Sequence, residues 1–151
     1  MDLRDLTGTE FPLIQGGMAN IADGKFAAAV ANAGGLGLIA SGGFSVDRMK
    51  QEIAIAKENT DKPFGVNLML MHPDIEALSD LVIEEGVKFL TTGAGNPGRF
   101  MEKWKKAGIK VLPVVASPTL AILMERDGAD AVIAEGSESG GHIGEMATMT
   151  L

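Results

Sequence analysis

Short apolar runs alternate along the chain with longer stretches in which apolar residues recur every three or four positions. The runs occupy residues 12–15, 36–40, 64–70, 88–92, 111–116 and 131–134. They show little polar alternation, which suits strands buried on both faces in a parallel sheet covered by helices. A buried helical turn mimics any one of them, but not six in series.

Helix signals fill the intervals. Asp23 is placed to cap a helix whose apolar face is Ala27, Val30 and Ala31. Asn96-Pro97 and Ser117-Pro118 each set a capping side chain ahead of a proline suited to the first helical position. Phe100, Trp104 and Ala107 form one sheet-facing stripe, and Ile75, Leu78 and Val82 another. Gly34, Gly86, Gly108 and Gly128 close the helices ahead of the next apolar run.

Strand–helix–strand units in series require parallel strands and right-handed crossovers. Either an open doubly wound sheet or a closed (β/α)8 barrel satisfies that rule. Glycine or polar residues follow nearly every run: Gly16-Gly17-Met18, Ser41-Gly42-Gly43, Asn67, residues 91–96, Ser117, and residues 135–142. A barrel opens all such ends onto one face, where catalysis is found, whereas an open sheet concentrates function at one switch point. The spread predicts an α/β fold of the TIM (β/α)8 type. Residues 1–151 are expected to be the N-terminal part of a single barrel domain, an incomplete barrel covering about the first six strands. Such a barrel wall has two unpaired edges.

Twenty glycines, nearly twice the usual share, gather at the ends of the apolar runs. A net charge of −7 argues against a nucleic-acid partner, while helix N-termini can still hold anions locally. The absence of cysteine removes disulfides, thiolate nucleophiles and Cys-ligated metals. No apolar segment approaches the roughly 20 residues that span a bilayer, and Met1-Asp2-Leu3-Arg4-Asp5 lacks the features of a signal peptide. The expectation is a cytoplasmic protein with no membrane partner.

Candidate chemistry clusters after the runs. Gly93-Ala94-Gly95-Asn96-Pro97-Gly98 matches G-x-G-x-x-G, but a dinucleotide site needs a carboxylate about 20 positions on. Pro113-Val114-Val115-Ala116 supplies none, so a backbone-exposing loop or a plain tight turn remains. Gly16-Gly17-Met18 lets backbone approach a flat ligand, with methionine as a polarizable surface, or is an ordinary turn. Asn67 is an amide inside an apolar run, and an unpaired buried amide costs about 1–3 kcal/mol. Its partner is either a neighbouring strand's backbone or the edge of a heteroaromatic ring.

Residues 135–145 hold His142, the carboxylates Glu135, Glu138 and Glu145, and four glycines. Histidine there can exchange a proton near neutrality or orient a reacting oxygen, or be a solvated loop residue. Two ligands, His142 and Glu145, do not make a metal site. His72, beside Pro73, reads as a helix-entry residue without chemistry. A phosphate loop of the G-x-x-x-x-G-K-[ST] kind and a G-x-S-x-G elbow are both missing.

Taken in order, Ile14-Gln15-Gly16-Gly17-Met18, Ala33-Gly34-Gly35-Leu36-Gly37, Lys62-Pro63-Phe64-Gly65-Val66-Asn67, Thr91-Thr92-Gly93-Ala94-Gly95-Asn96-Pro97 and Glu138-Ser139-Gly140-Gly141-His142-Ile143-Gly144-Glu145 resemble a family. It is that of the FMN-dependent enoyl-acyl-carrier-protein reductases (enoyl-ACP reductase II), within the nitronate monooxygenase (2-nitropropane dioxygenase) superfamily. The resemblance implies a TIM barrel that binds FMN, draws electrons from NADH or NADPH, and reduces a trans-2-enoyl thioester on acyl carrier protein or coenzyme A. It implies that Gly16, Gly17 and Met18 line the flavin ring, and that Asn67 bonds its polar edge. Thr92, Glu135, Gly140 and Gly141 complete the cofactor site, and His142 is the catalytic residue. A homodimer is implied for the full-length form. In such barrels loops after the last strands hold phosphate; these lie beyond Leu151, so this chain is expected to hold FMN poorly or not at all. The rival activities are oxidation of alkyl nitronates with oxygen, and an inactive barrel fragment.

Overall fold

A computed structural model describes residues 2–141 and 145–151. Its elements run α1 (Leu3–Thr7), α2 (Gly24–Asn32), β1 (Gly37–Ala40), α3 (Val46–Asn59), β2 (Phe64–Met69), α4 (Ile75–Glu84), β3 (Phe89–Gly93), α5 (Gly98–Lys106), β4 (Lys110–Val115), α6 (Pro118–Arg126), β5 (Ile133–Ala134) and a closing 3-10 turn (Thr148–Thr150). Every strand pairing is parallel. The strands lie side by side in chain order, β1-β2-β3-β4-β5. An isolated parallel bridge, Ile14 to Leu36, adds the first apolar run at the β1 edge. A doubly wound sheet reverses direction at a switch point. Here nothing reverses, and the sheet is the wall of a (β/α) barrel.

The two faces of that wall carry different cores. Ile39, Val66, Leu68, Leu90 and Val111 point outward into one buried cluster with Met49, Ile53, Leu78, Val82 and Trp104 of the helices. Leu36, Leu38, Phe89 and Leu112 point to the other face and pack with Leu6 of α1, with Leu3, Ile14 and Ile133 against them. That second face is the barrel lumen, and α1 plugs its lower end. The Lys110 ammonium joins the plug by donating to the Leu6 carbonyl, with the Phe89 ring centroid 5.7 Å away. This five-residue helix is too short to show a helical period in the sequence.

The capping signals hold. Asp23 accepts from Phe26 N–H at 2.8 Å, and Ser117 accepts from Leu120 N–H at 3.2 Å with Pro118 in the first turn. Gly34, Gly86, Gly108 and Gly128 all adopt positive φ, as helix-ending glycines do. At Asn96-Pro97 the register slips by one residue. Asn96 Oδ1 accepts from Gly98 N–H at 2.8 Å, α5 starts at Gly98, and Pro97 is the cap.

Two strands are shorter than the apolar runs predict, for a shared reason. Pro113 has no N–H to give to β5, and Val111 N–H goes to Asp130 Oδ2 at 2.8 Å. The β4–β5 ladder therefore begins only at Val114–Ile133. At the other edge, Leu38 N–H donates to the Gln15 side chain at 2.9 Å. A side-chain amide takes the place of a ladder carbonyl, and the 12–15 run keeps a single bridge.

Candidate active site

Parallel pairing sends the C-terminal ends of all the strands to one rim, and contacts between the loops there confirm the convergence. Ser41, at the tip of β1, donates its N–H to Asn67 O at 2.9 Å and accepts from Met69 N–H through Oγ at 2.9 Å. Leu70 N–H donates to Gly93 O at 2.9 Å. A Cβ on Gly42 would lie 3.1 Å from Ala19, and one on Gly95 would lie 3.1 Å from Leu70. The segments after the first four apolar runs therefore form a continuous edge.

Gly17 and Asn67 meet on that edge. A Cβ on Gly17 would stand 2.7 Å from Cβ, Cγ and Nδ2 of Asn67. Asn67 is half-buried on the lumen face of β2. Its Oδ1 accepts from Thr91 Oγ1 at 2.8 Å. Gly16 has open space where a side chain would project, and Met18 stands beside it with 37% of its surface exposed. Of the residues the sequence assigns to a cofactor, Gly16, Gly17, Met18 and Asn67 are thus brought together.

Thr92 is not. Strand side chains alternate, and Thr92 is the register partner of Leu68, a member of the outward-facing core. Its side chain is 1% exposed and its Oγ1 has no partner among the described residues. The threonine on the lumen face is Thr91, the partner of Asn67 in the ladder. In the sequence, two adjacent threonines carry no mark of which one faces inward, so Thr91 was not legible there.

Glu135 leads out of β5, with its N–H donating to Val115 O at 3.0 Å. The loop beyond is drawn together at its base. Ser137 N–H donates to Met146 O at 2.7 Å. Glu138 Oε2 accepts from Thr148 N–H and Oγ1, each at 2.7 Å. The Thr148 backbone N–H, then its hydroxyl, hold the Glu138 carboxyl down to about 2. Gly136 has room for no side chain, since a Cβ would fall 2.5 Å from Thr148 N. Gly140 and Gly141 are exposed on this loop. His142, the residue assigned to catalysis, lies outside the described residues, as do Ile143 and Gly144.

His72 is buried, and its Nδ1 accepts from Asp74 N–H at 3.0 Å. That bond shapes the entry to α4 and leaves His72 a structural residue. Among the described residues no group of three metal-ligating side chains gathers, and no helix is long and apolar enough to cross a membrane.

Comparison with known proteins agrees with this geometry. The family model described as nitronate monooxygenase matches residues 1–80 and 75–151. A carboxyl-CoA dehydrogenase of Mycobacterium tuberculosis, (3aS,4S,5R,7aS)-5-hydroxy-7a-methyl-1-oxo-octahydro-1H-indene-4-carboxyl-CoA dehydrogenase, is 38% identical over 99% of this chain and 42% of its own length. A probable nitronate monooxygenase of Staphylococcus saprophyticus is 36% identical over 92% of this chain and 49% of its own. Among solved structures, FabK from Thermotoga maritima superposes with a TM-score of 0.93 at 51% identity, over 95% of this chain and 46% of that one. Nitroalkane oxidase from Streptomyces ansochromogenes gives 0.86 at 30% identity, over 95% of this chain and 51% of that one. The chain spans about half the length of the relatives it matches.

Proposed function

The chain belongs to the nitronate monooxygenase family, and on that premise we propose that it carries half of the active site of an FMN-dependent enoyl thioester reductase. The observation that carries this reading is the identity gradient. FabK, which represents the enoyl-ACP reductase II type, is 51% identical, against 30% for the nitroalkane oxidase. The Thr91-Thr92-Gly93-Ala94-Gly95-Asn96-Pro97 and Glu138–Glu145 wording favours the same branch. The carboxyl-CoA dehydrogenase relative adds support for a thioester-linked substrate.

The residues present fit one edge of a flavin. Glycine backbone at Gly16 and Gly17 leaves a side-chain-free surface beside the Asn67 amide, whose Nδ2 has no acceptor among the described residues. Bound flavin would supply a two-electron relay from NADH or NADPH to the β-carbon of a trans-2-enoyl thioester. The protein's part is positional. Gly17 and Met18 present a flat surface, Asn67 fixes the polar edge, and Glu135, Gly140 and Gly141 lead toward His142. We assign His142 the proton or the orienting hydrogen bond at the substrate carbonyl. Thr92 takes no part in this assignment.

The decisive experiment is made on a full-length barrel that contains this chain. NADH oxidation dependent on a crotonyl thioester is expected. Oxygen uptake with propyl nitronate and no thioester-dependent turnover would instead establish the nitronate activity.

A further inference from the structure

Thr91 is 1% exposed. A buried hydroxyl needs an acceptor for its hydrogen, and among the described residues Thr91 Oγ1 has one in Asn67 Oδ1, at 2.8 Å. That bond fixes which end of the Asn67 amide faces where. With the carbonyl oxygen turned to β3, Nδ2 lies on the other side, against Gly17, without an acceptor among the described residues. Asparagine by itself offers donor and acceptor alike. Here its oxygen is turned to Thr91 on β3, and its Nδ2 lies on the Gly17 side.

From this geometry we infer that Thr91 is a positioning residue that turns the donor end of Asn67 to the ligand, so the site takes a planar ligand by an edge of hydrogen-bond acceptors. The inference rests on the flavin reading for the ligand's identity, since ring carbonyls and unprotonated ring nitrogens form such an edge. The orientation of the amide does not depend on it. Asn67 is the contact, and Thr91 acts through it. A hydroxyl is required at position 91 but its methyl group is not.

The test has two readouts, the first made on the 151-residue chain. The first is nitrogen relaxation of the Asn67 side-chain amide by NMR, without ligand. It should be as rigid as the backbone in the wild type and in Thr91→Ser, and mobile in Thr91→Val. Equal rigidity in Thr91→Val overturns the inference. Should that variant not fold, the wild type decides: the Thr91 hydroxyl proton must exchange slowly with water, and fast exchange overturns the inference. The second readout is FMN titration of a full-length barrel that contains this chain, followed by flavin absorbance and fluorescence. Thr91→Val should weaken binding about tenfold and shift the flavin band, with Thr91→Ser restoring both. Wild-type affinity and spectrum in Thr91→Val count against the inference. If no version of the full-length barrel binds FMN, the flavin reading fails, and the amide measurement still settles the role of Thr91.

Discussion

Gly17 and Asn67 are in contact: a Cβ built on the glycine would be 2.7 Å from Cβ, Cγ and Nδ2 of the asparagine. Because the clash includes Asn67 Cβ, rotation of the amide cannot relieve it. Gly17→Ala should therefore displace backbone or asparagine, costing about 1–3 kcal/mol in urea denaturation. Gly16→Ala, whose Cβ would meet nothing within 4 Å among the described residues, should lie within about 0.5 kcal/mol of wild type.

Helix α2 is held closer still. A Cβ on Gly37 would sit 2.0 Å from Ala27 O, and one on Gly24 would sit 2.1 Å from Glu52 O. Both obstacles are backbone in packed helices, which must move as units. Gly37→Ala and Gly24→Ala should each cost more than about 3 kcal/mol, visible as a large drop in the urea midpoint or loss of soluble protein.

Trp104 is fully buried, stacks on Phe100 with ring centroids 5.2 Å apart, and donates Nε1–H to Ser79 Oγ at 2.8 Å. Trp104→Phe keeps an aromatic ring but loses volume and takes the N–H donor from the buried Ser79 hydroxyl. A loss of about 1–3 kcal/mol is expected, measured by circular dichroism because the chain has a single tryptophan.

Acid should open the loop after β5. Glu138 is held at about 2 against an ordinary 4.5 by its bonds from Thr148. Its folded value is the lower one, so the contribution is complete above about 4.5 and is lost as pH falls toward 2. Amide exchange at Thr148, corrected for its intrinsic pH dependence, should lose protection through that window. Glu138→Gln should show weak protection at every pH. A wild-type profile that stays flat through the window would refute the clasp.

His142→Ala in a full-length barrel that contains this chain should cut turnover by about 100-fold or more while leaving bound flavin absorbance intact. Unchanged turnover would return His142 to the role of a loop residue.

Much of this molecule is legible in its residue order. Six apolar runs and the caps at Asp23 and Ser117 follow from burial on both faces and from the need to satisfy helix-end N–H groups. Such rules act within a few residues, so the chain states them locally. The glycines after the first run marked Gly16, Gly17 and Met18 as candidates, and an amide inside an apolar run marked Asn67.

What the order of residues could not state was decided between strands. The choice of Thr91 over Thr92 as the lumen-facing threonine depends on β2–β3 register, a relation between segments 24 residues apart. The plugging of the lumen by α1 depends on Lys110 reaching a carbonyl 104 positions away. The truncation of β5 combines an absent Pro113 N–H with an Asp130 carboxylate that claims Val111. A one-residue change of register exchanges the two faces of a strand, and only the folded wall fixes that register.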